Sequence, residues 1–366
     1  MKKLFLTAGA AMVLASSSTV TLADTTWTSI VQNVWANPAD WSAGLPNGSS
    51  GAIFQDPGTV GLVHAIDVGV QNTITSGFGF GSSTAGSGFT IMSSAVPSIM
   101  QLNAGGTFNG IVNSDSHAQT ISVPLRMYSA NGFAGSSAAQ TWNAAAGNLF
   151  ITGAYKISGT PPSTVDNNGG LLTIGGAFNT TIGAANGRGD IVGVGGLTKN
   201  GTGTLFLGGT NANTFSGGTI LNAGAIVATK ANVLGTGGLT LGAGTTFDAG
   251  GMNQTLGTLT VTGSGDILDF GAAIGANTLT FNNSSAIPWT GTLTILNFDP
   301  NTDKLRFGTS ATGLTFPQMN DIVFSGHGPG SLIDSQGFVT IPEPSTLALG
   351  FLGGLALALR RNSRAR

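Results

Sequence analysis

Three triplets, Leu239-Thr240-Leu241, Leu259-Thr260-Val261 and Leu279-Thr280-Phe281, recur every 20 residues. Thr219-Ile220-Leu221 stands one interval earlier, and Val227, Phe247, Ile267 and Ile287 form a second apolar series at the same spacing. Between them lie turn-forming groups such as Gly235-Thr236-Gly237-Gly238 and Gly250-Gly251. A fold for this chain must therefore return to one place after each short interval. Weaker echoes, Leu149-Phe150-Ile151 and Leu171-Leu172-Thr173-Ile174, extend the pattern upstream. Short strands and glycine turns at a fixed period in the twenties indicate a coil whose turns stack. Twenty residues at ~3.3 Å each make a circuit of at most about 66 Å, which suits three sides. The expected fold is all-β, a right-handed parallel β-helix of about 20 residues per rung. In it Leu239 and Leu241 face inward while Thr240 faces out, and each rung lies ~4.8 Å from the next.

Composition agrees with a folded but unusual chain. Charged residues are 8%, where ~25% is typical, and glycine is 59 of 366. Hydrophobic residues still make up 41%, enough to build a core. There is no cysteine, so burial and backbone pairing must hold the fold without disulfides. Between Asp24 and Ile341 stand fourteen aspartates and no glutamate, against seven bases: Arg126, Lys156, Arg188, Lys199, Lys230, Lys304 and Arg306. An acidic body without a Lys/Arg cluster disfavours nucleic acid as a partner.

Both ends read as addresses. Lys2 and Lys3 precede the apolar stretch Leu4 to Ala15, and small residues lead to a processing site between Ala23 and Asp24, as in a secretory signal peptide. At the other end, Pro342-Glu343-Pro344 precedes an apolar run from Leu347 to Leu359, then Arg360 and Arg361. As a helix, Ser345 to Leu359 would reach only about 22 Å, short of roughly 30 Å of hydrocarbon, so it would hold a membrane transiently. The arginines would stay on the cytoplasmic side and leave the body outside. This tail, over residues 342 to 361, resembles the PEP-CTERM sorting signal. The resemblance implies an exosortase-like processing enzyme as partner, with cleavage near Glu343 releasing the body to the envelope or its surroundings.

A second resemblance covers about 30 residues. The run Gly196-Leu197-Thr198-Lys199-Asn200-Gly201-Thr202-Gly203-Thr204-Leu205, continuing through Asn213-Thr214-Phe215-Ser216-Gly217-Gly218 to Gly224, is similar to the autotransporter-associated β-strand repeat. The section with Trp27, Trp35, Ala39-Asp40-Trp41 and Ala52-Ile53-Phe54, and the segments Asp303 to Gly308 and Asp321 to Phe324, are similar to the ends of exported proteins with that repeat. A passenger-like surface β-solenoid is what this implies. The expected organisation is a signal peptide at 1–23, an aromatic-bearing β section or cap at 24–100, and a β-helix at 101–298 with the repeat at 196–228. A C-terminal β cap at 299–341 and the sorting tail at 342–366 complete it.

Catalytic groups are sparse. Asp266 and Asp269 are the nearest carboxylate pair, but three steps along a strand point them to opposite faces. At a period of 20, Thr246 precedes Asp266 and Leu268 follows Asp248, so carboxylates are not expected to stack. Glu343, the lone glutamate, belongs to the sorting motif, which excludes a glutamate pair. His64, His117 and His327 are far apart and lack zinc spacing. Nucleophile-elbow and Walker motifs are absent. Gly263 to Asp269 offers Asp266 and Asp269 as a calcium candidate, though one copy of such a turn is a poor site; no other cofactor is implied. Arg188-Gly189-Asp190 matches an adhesion tripeptide at chance level. Trp27, Trp35 and Trp41 could form a carbohydrate-stacking face or simply pack a cap. Thr258 and Thr260, Thr278 and Thr280, and Thr292 and Thr294 form Thr-x-Thr pairs that would lie on one outward face. The expected function is an exported, non-enzymatic structural or adhesive β-helix, with a polysaccharide or cell-surface polymer as partner. A carbohydrate-binding or polysaccharide-cleaving β-helix is the alternative, and an ice-binding threonine surface a third.

Overall fold

The structure, a computed structural model, describes residues 24–28, 34–47, 50–56, 64–69, 73–83, 88–93, 99–104, 109–129, 139–153, 165–167, 169–183, 190–272, 275–327 and 329–342. Its strands pair in parallel except at the C-terminal end, and the chain visits three faces in a fixed order. The first face is a ten-stranded sheet running from Thr25–Thr26 to Leu259–Val261. The second has eleven strands, from Ala65–Asp67 to Ile322–Phe324. The third face holds two five-stranded sheets, one from Thr73–Thr75 to Ile191–Val192. The other contains Gln254–Leu256, Thr278–Phe281 and Lys304–Phe307, then closes on the antiparallel strands Phe338–Thr340 and Leu332–Ile333. Each strand pairs with its counterpart one coil away, which makes the body a three-faced parallel β-helix.

Register follows from burial. Leu239 and Leu241 pair with Leu259 and Val261, all four are fully buried, and Thr240 pairs with Thr260 outside. Stacked coils thus share one apolar column that no single coil could bury. Phe247 continues the column of the second face between Ile226 and Leu268.

The uniform 20-residue rung holds only locally. On the first face the step is 20 from Thr219 to Leu239 and from Leu239 to Leu259, but 33 from Phe78 to Ile111. On the second face Ile226, Phe247 and Leu268 stack at steps of 21. The series Val227, Phe247, Ile267, Ile287 is therefore not a column, because Val227 and Ile267 point outward. Leu279 also leaves its series, pairing with Gln254 and Leu305 on the third face.

Corners interrupt the parallel ladder and strand backbone N–H groups. Buried polar side chains of the following coil supply the missing acceptors. Ile191 N donates to Asn213 Oδ1 (2.9 Å), Val233 N to Gln254 Oε1 (2.9 Å) and Asn277 N to Asp303 Oδ1 (3.0 Å). The first two of these bonds also carry the third face across the gap between its two sheets, where Phe215, Val233 and Leu234 fill the interior. Lys199 is likewise inward, between Ile174 and Leu221, and its Nζ donates to the carbonyls of Gly201 and Ala223. Gly250 (φ +60°) follows a strand end, where an added Cβ would lie 2.0 Å from Ala228 O. Only glycine fits there.

Both ends are closed. Trp27, Trp35 and Trp41 are 1%, 3% and 4% exposed, and Trp41 meets the other two edge-on at 5.1 and 4.8 Å. Their rings are buried in the cap, which leaves no face for a sugar. At the far end the short helix Phe316–Asn320 starts on a Thr315/Gln318 capping box. Gln318 Nε2 reaches back to the carbonyls of Ser284 and Ile287. Among the described residues no helix is long and apolar enough to cross a membrane.

Candidate binding face

Alternation along each strand places one side chain inside and the next outside, so vertical columns of outward residues cover the faces. On the first face Thr141, Thr173, Thr198, Ile220, Thr240 and Thr260 stand in register. The preceding positions are Leu171, Gly196, Gly218, Gly238 and Thr258, and on the other side Asn222 Nδ2 donates a hydrogen bond of 2.8 Å to Asn200 Oδ1. This face is dominated by hydroxyls and glycines, interrupted by the exposed side chains of Leu171 and Ile220.

The second face is different. Thr90, Thr120, Phe150, Thr181, Phe206, Val227, Asp248, Asp269 and Leu296 form one column over nine strands. Thr204, Ala225, Thr246, Ile267, Thr294 and Val323 run beside it. All of these side chains are half-buried, so apolar surface is offered to solvent along the axis. Phe178, at the corner with the first face, is 44% exposed. Gly203, on the next coil, lies against its backbone, where an added Cβ would come within 2.0 Å of Phe178 O.

Asp248 and Asp269 are in register on adjacent coils. The expectation that carboxylates would not stack fails here because this face repeats at 21 residues. Each accepts the N–H of a glycine two residues on, Gly250 at 2.7 Å and Gly271 at 2.8 Å, and Asn297 Nδ2 bonds Asp269 at 2.7 Å. Burial raises the Asp248 carboxyl above its ordinary range; the Gly250 bond opposes this and the charge of Asp269 adds to it. The Asp-x-Gly ending recurs at Asp67 and Gly69 on the same face and was the available sequence signal.

The calcium candidate separates. Asp266 points inward, fully buried, with Oδ1 accepting from Thr245 N and Oγ1 at 3.3 and 3.4 Å, while Asp269 points outward. One ion cannot bridge opposite sides of a strand. Nor do the threonine pairs make one array. Thr258 and Thr260 belong to the first face, Thr278 and Thr280 to the third beside Lys304 and Arg306, and Thr292 and Thr294 to the second. A flat lattice match across all six is excluded by these positions. His117 bonds Asp115 at 3.0 Å and His64 packs on Phe89. Among the described residues no three His, Cys, Asp or Glu side chains gather around one point.

Asp24 Oδ1 accepts from Gly51 N at 2.8 Å, tying the start of the body to the next coil. Pro342 lines a cavity of about 640 Å³ at the C-terminal end with Phe298, Asp303, Lys304, His327 and Phe338. Ala23, Glu343, Pro344, Arg360 and Arg361 lie outside the described residues.

Comparison with known proteins bears on this arrangement. The passenger-associated-transport-repeat model matches residues 197–228, which span four strands of the first and second faces. The PEP-CTERM protein-sorting motif matches residues 340–362. The chain carries both signatures. The transport repeat places Lys199 inside and Phe206 and Ile220 outside, so its pattern encodes both core and surface. The sorting motif marks the chain for export to the cell envelope or surface. A stretch of 166 residues is 34% identical to the Adhesin BmaC autotransporter of Brucella suis biovar 1 (strain 1330), covering 39% of this chain and 5% of that protein. No solved structure matches the chain.

Proposed function

We propose that this protein is an exported, adhesin-like, non-enzymatic β-helix that holds a cell-surface polymer against its long outer faces. The observation that carries this reading is the second-face column, nine in-register outward side chains mixing aromatic, hydroxyl and carboxylate groups. Such a strip offers many weak, repeated contacts, which suits a repeating ligand better than a small one. The resemblance to an autotransporter adhesin and the sorting motif support the same reading. An exosortase-type enzyme is the processing partner that the sorting motif implies.

The test uses the purified body, residues 24–341, with a panel of insoluble and soluble polysaccharides and with whole cells. Retention on at least one polymer, with no new reducing or unsaturated sugar ends, is the expected result. Release of such ends would replace adhesion with cleavage, and retention on nothing would end the adhesive reading.

A further inference from the structure

Deepening that reading, we infer that the second face from Phe150 to Asp269 is a track for an extended, β-linked amino-sugar polymer lying along the helix axis. The track comprises six consecutive strands bearing Phe150, Thr181, Phe206, Val227, Asp248 and Asp269. At ~4.8 Å per rung it is about 24 Å long, and one rung is close to the advance of one pyranose unit in an extended β-linked chain. In such a chain alternate units present the same ring face. Phe150 and Phe206 stand two rungs apart, so both rings can meet equivalent sugar faces. Phe178, 44% exposed, stands two residues before Thr180–Ile182, the strand of the intermediate rung. Aromatic rings stack on the apolar C–H faces of sugars while threonine hydroxyls meet their oxygens.

Charge selects the sugar. Asp248 and Asp269 sit one rung apart, and among the described residues neither has a cationic partner. Two adjacent carboxylates can hold one ammonium group between them and so relieve their mutual repulsion. The acidic body repels uronate-rich or sulfated polymers, and it equally opposes a second copy of this chain on the same face.

Titration calorimetry on the body tests this with glucosamine hexamer, its N-acetylated form and a uronate hexamer. The glucosamine hexamer should bind most tightly and the uronate hexamer not at all. The double variant Phe150→Thr/Phe206→Thr, which places in those rungs a residue the column already uses, should weaken binding about tenfold with an unchanged melting temperature. Asp248→Asn/Asp269→Asn should erase the preference for free amino groups and flatten the salt dependence. Equal binding by the phenylalanine variant, or a preference for uronate, would overturn the track while leaving adhesion by another face intact. Light scattering that shows a concentration-dependent dimer, lost in the phenylalanine variant, would assign the face to a second copy instead. If neither hexamer nor any polymer or cell is retained, the broader adhesive reading falls too.

Discussion

Asp266 faces inward beside two apolar side chains, its strand neighbour Leu268 and its partner Leu293 on the next coil. Its Oδ1 serves Thr245, while Oδ2 has no partner and the residue is fully buried. Burial is the main cause that raises its pKa above 3.8, with the Thr245 bonds and the backbone N–H groups of Gly263 and Gly244 acting against it. The folded state therefore keeps a proton that the unfolded state releases. The stabilisation from that proton is complete below pH 3.8 and is lost as pH rises through the folded value. Asp266→Asn keeps the acceptor for Thr245 without the charge. Relative to the parent, this variant should gain stability between pH 4 and pH 7, on the order of 1 kcal/mol. Thermal melts at several pH values check it, and a constant offset across the range would refute it. Lys199 and Lys230, both lowered to about 8 mainly by burial, change charge only above this window and leave the comparison clean.

Coil length decides which side chains meet. From Thr219 to Ala225 the connection between first and second faces takes six steps, from Leu239 to Thr246 seven, and from Leu259 to Ile267 eight. The first face thus repeats at 20 while the second repeats at 21. This explains what the sequence made legible. Leu239 and Leu259 lie where interval and register agree, so the parallel β-helix and its inward leucines could be read directly. On the second face a one-residue drift turns every side chain over, which hid the stacking of Asp248 on Asp269 and put Val227 in the wrong column. Phe150 was visible only as the centre of a triplet, since nothing local says that Phe206 stands two coils above it. Asp269 could be singled out, but its partnership could not. The same geometry allows coils to be removed whole. Deleting residues 239–258 brings Leu259 onto Thr219 in unchanged register, and the shortened protein should keep its β spectrum and a cooperative melt. Deleting residues 239–248 instead breaks the order of faces and should yield insoluble protein. Similar behaviour of the two deletions, followed by circular dichroism and sedimentation, would contradict coil-by-coil stacking.

A molecule built from neighbour contacts is weakest where the neighbours stop. The first strand, Thr25–Thr26, would present an open parallel edge if nothing covered it, and such edges recruit other chains. Here the tryptophan cap closes the core, with Trp41 Nε1 bonded to Trp35 O at 3.0 Å and Phe54 and Phe78 packed beneath Trp35. At the other end the antiparallel strands Leu332–Ile333 and Phe338–Thr340 turn the third sheet back on itself. Trp41→Ala removes the ring that contacts both other tryptophans and should cost about 3–5 kcal/mol at that end. Because coupling passes only between adjacent coils, the loss should stay local. Amide hydrogen exchange should quicken around Ala52–Asp56 and Gly77–Ser83 while Leu239–Leu241 and Leu259–Val261 keep their protection. Light scattering should show association through the freed edge. Uniformly faster exchange across all coils would mean that the body melts as one unit, and the one-dimensional account of its stability would fail.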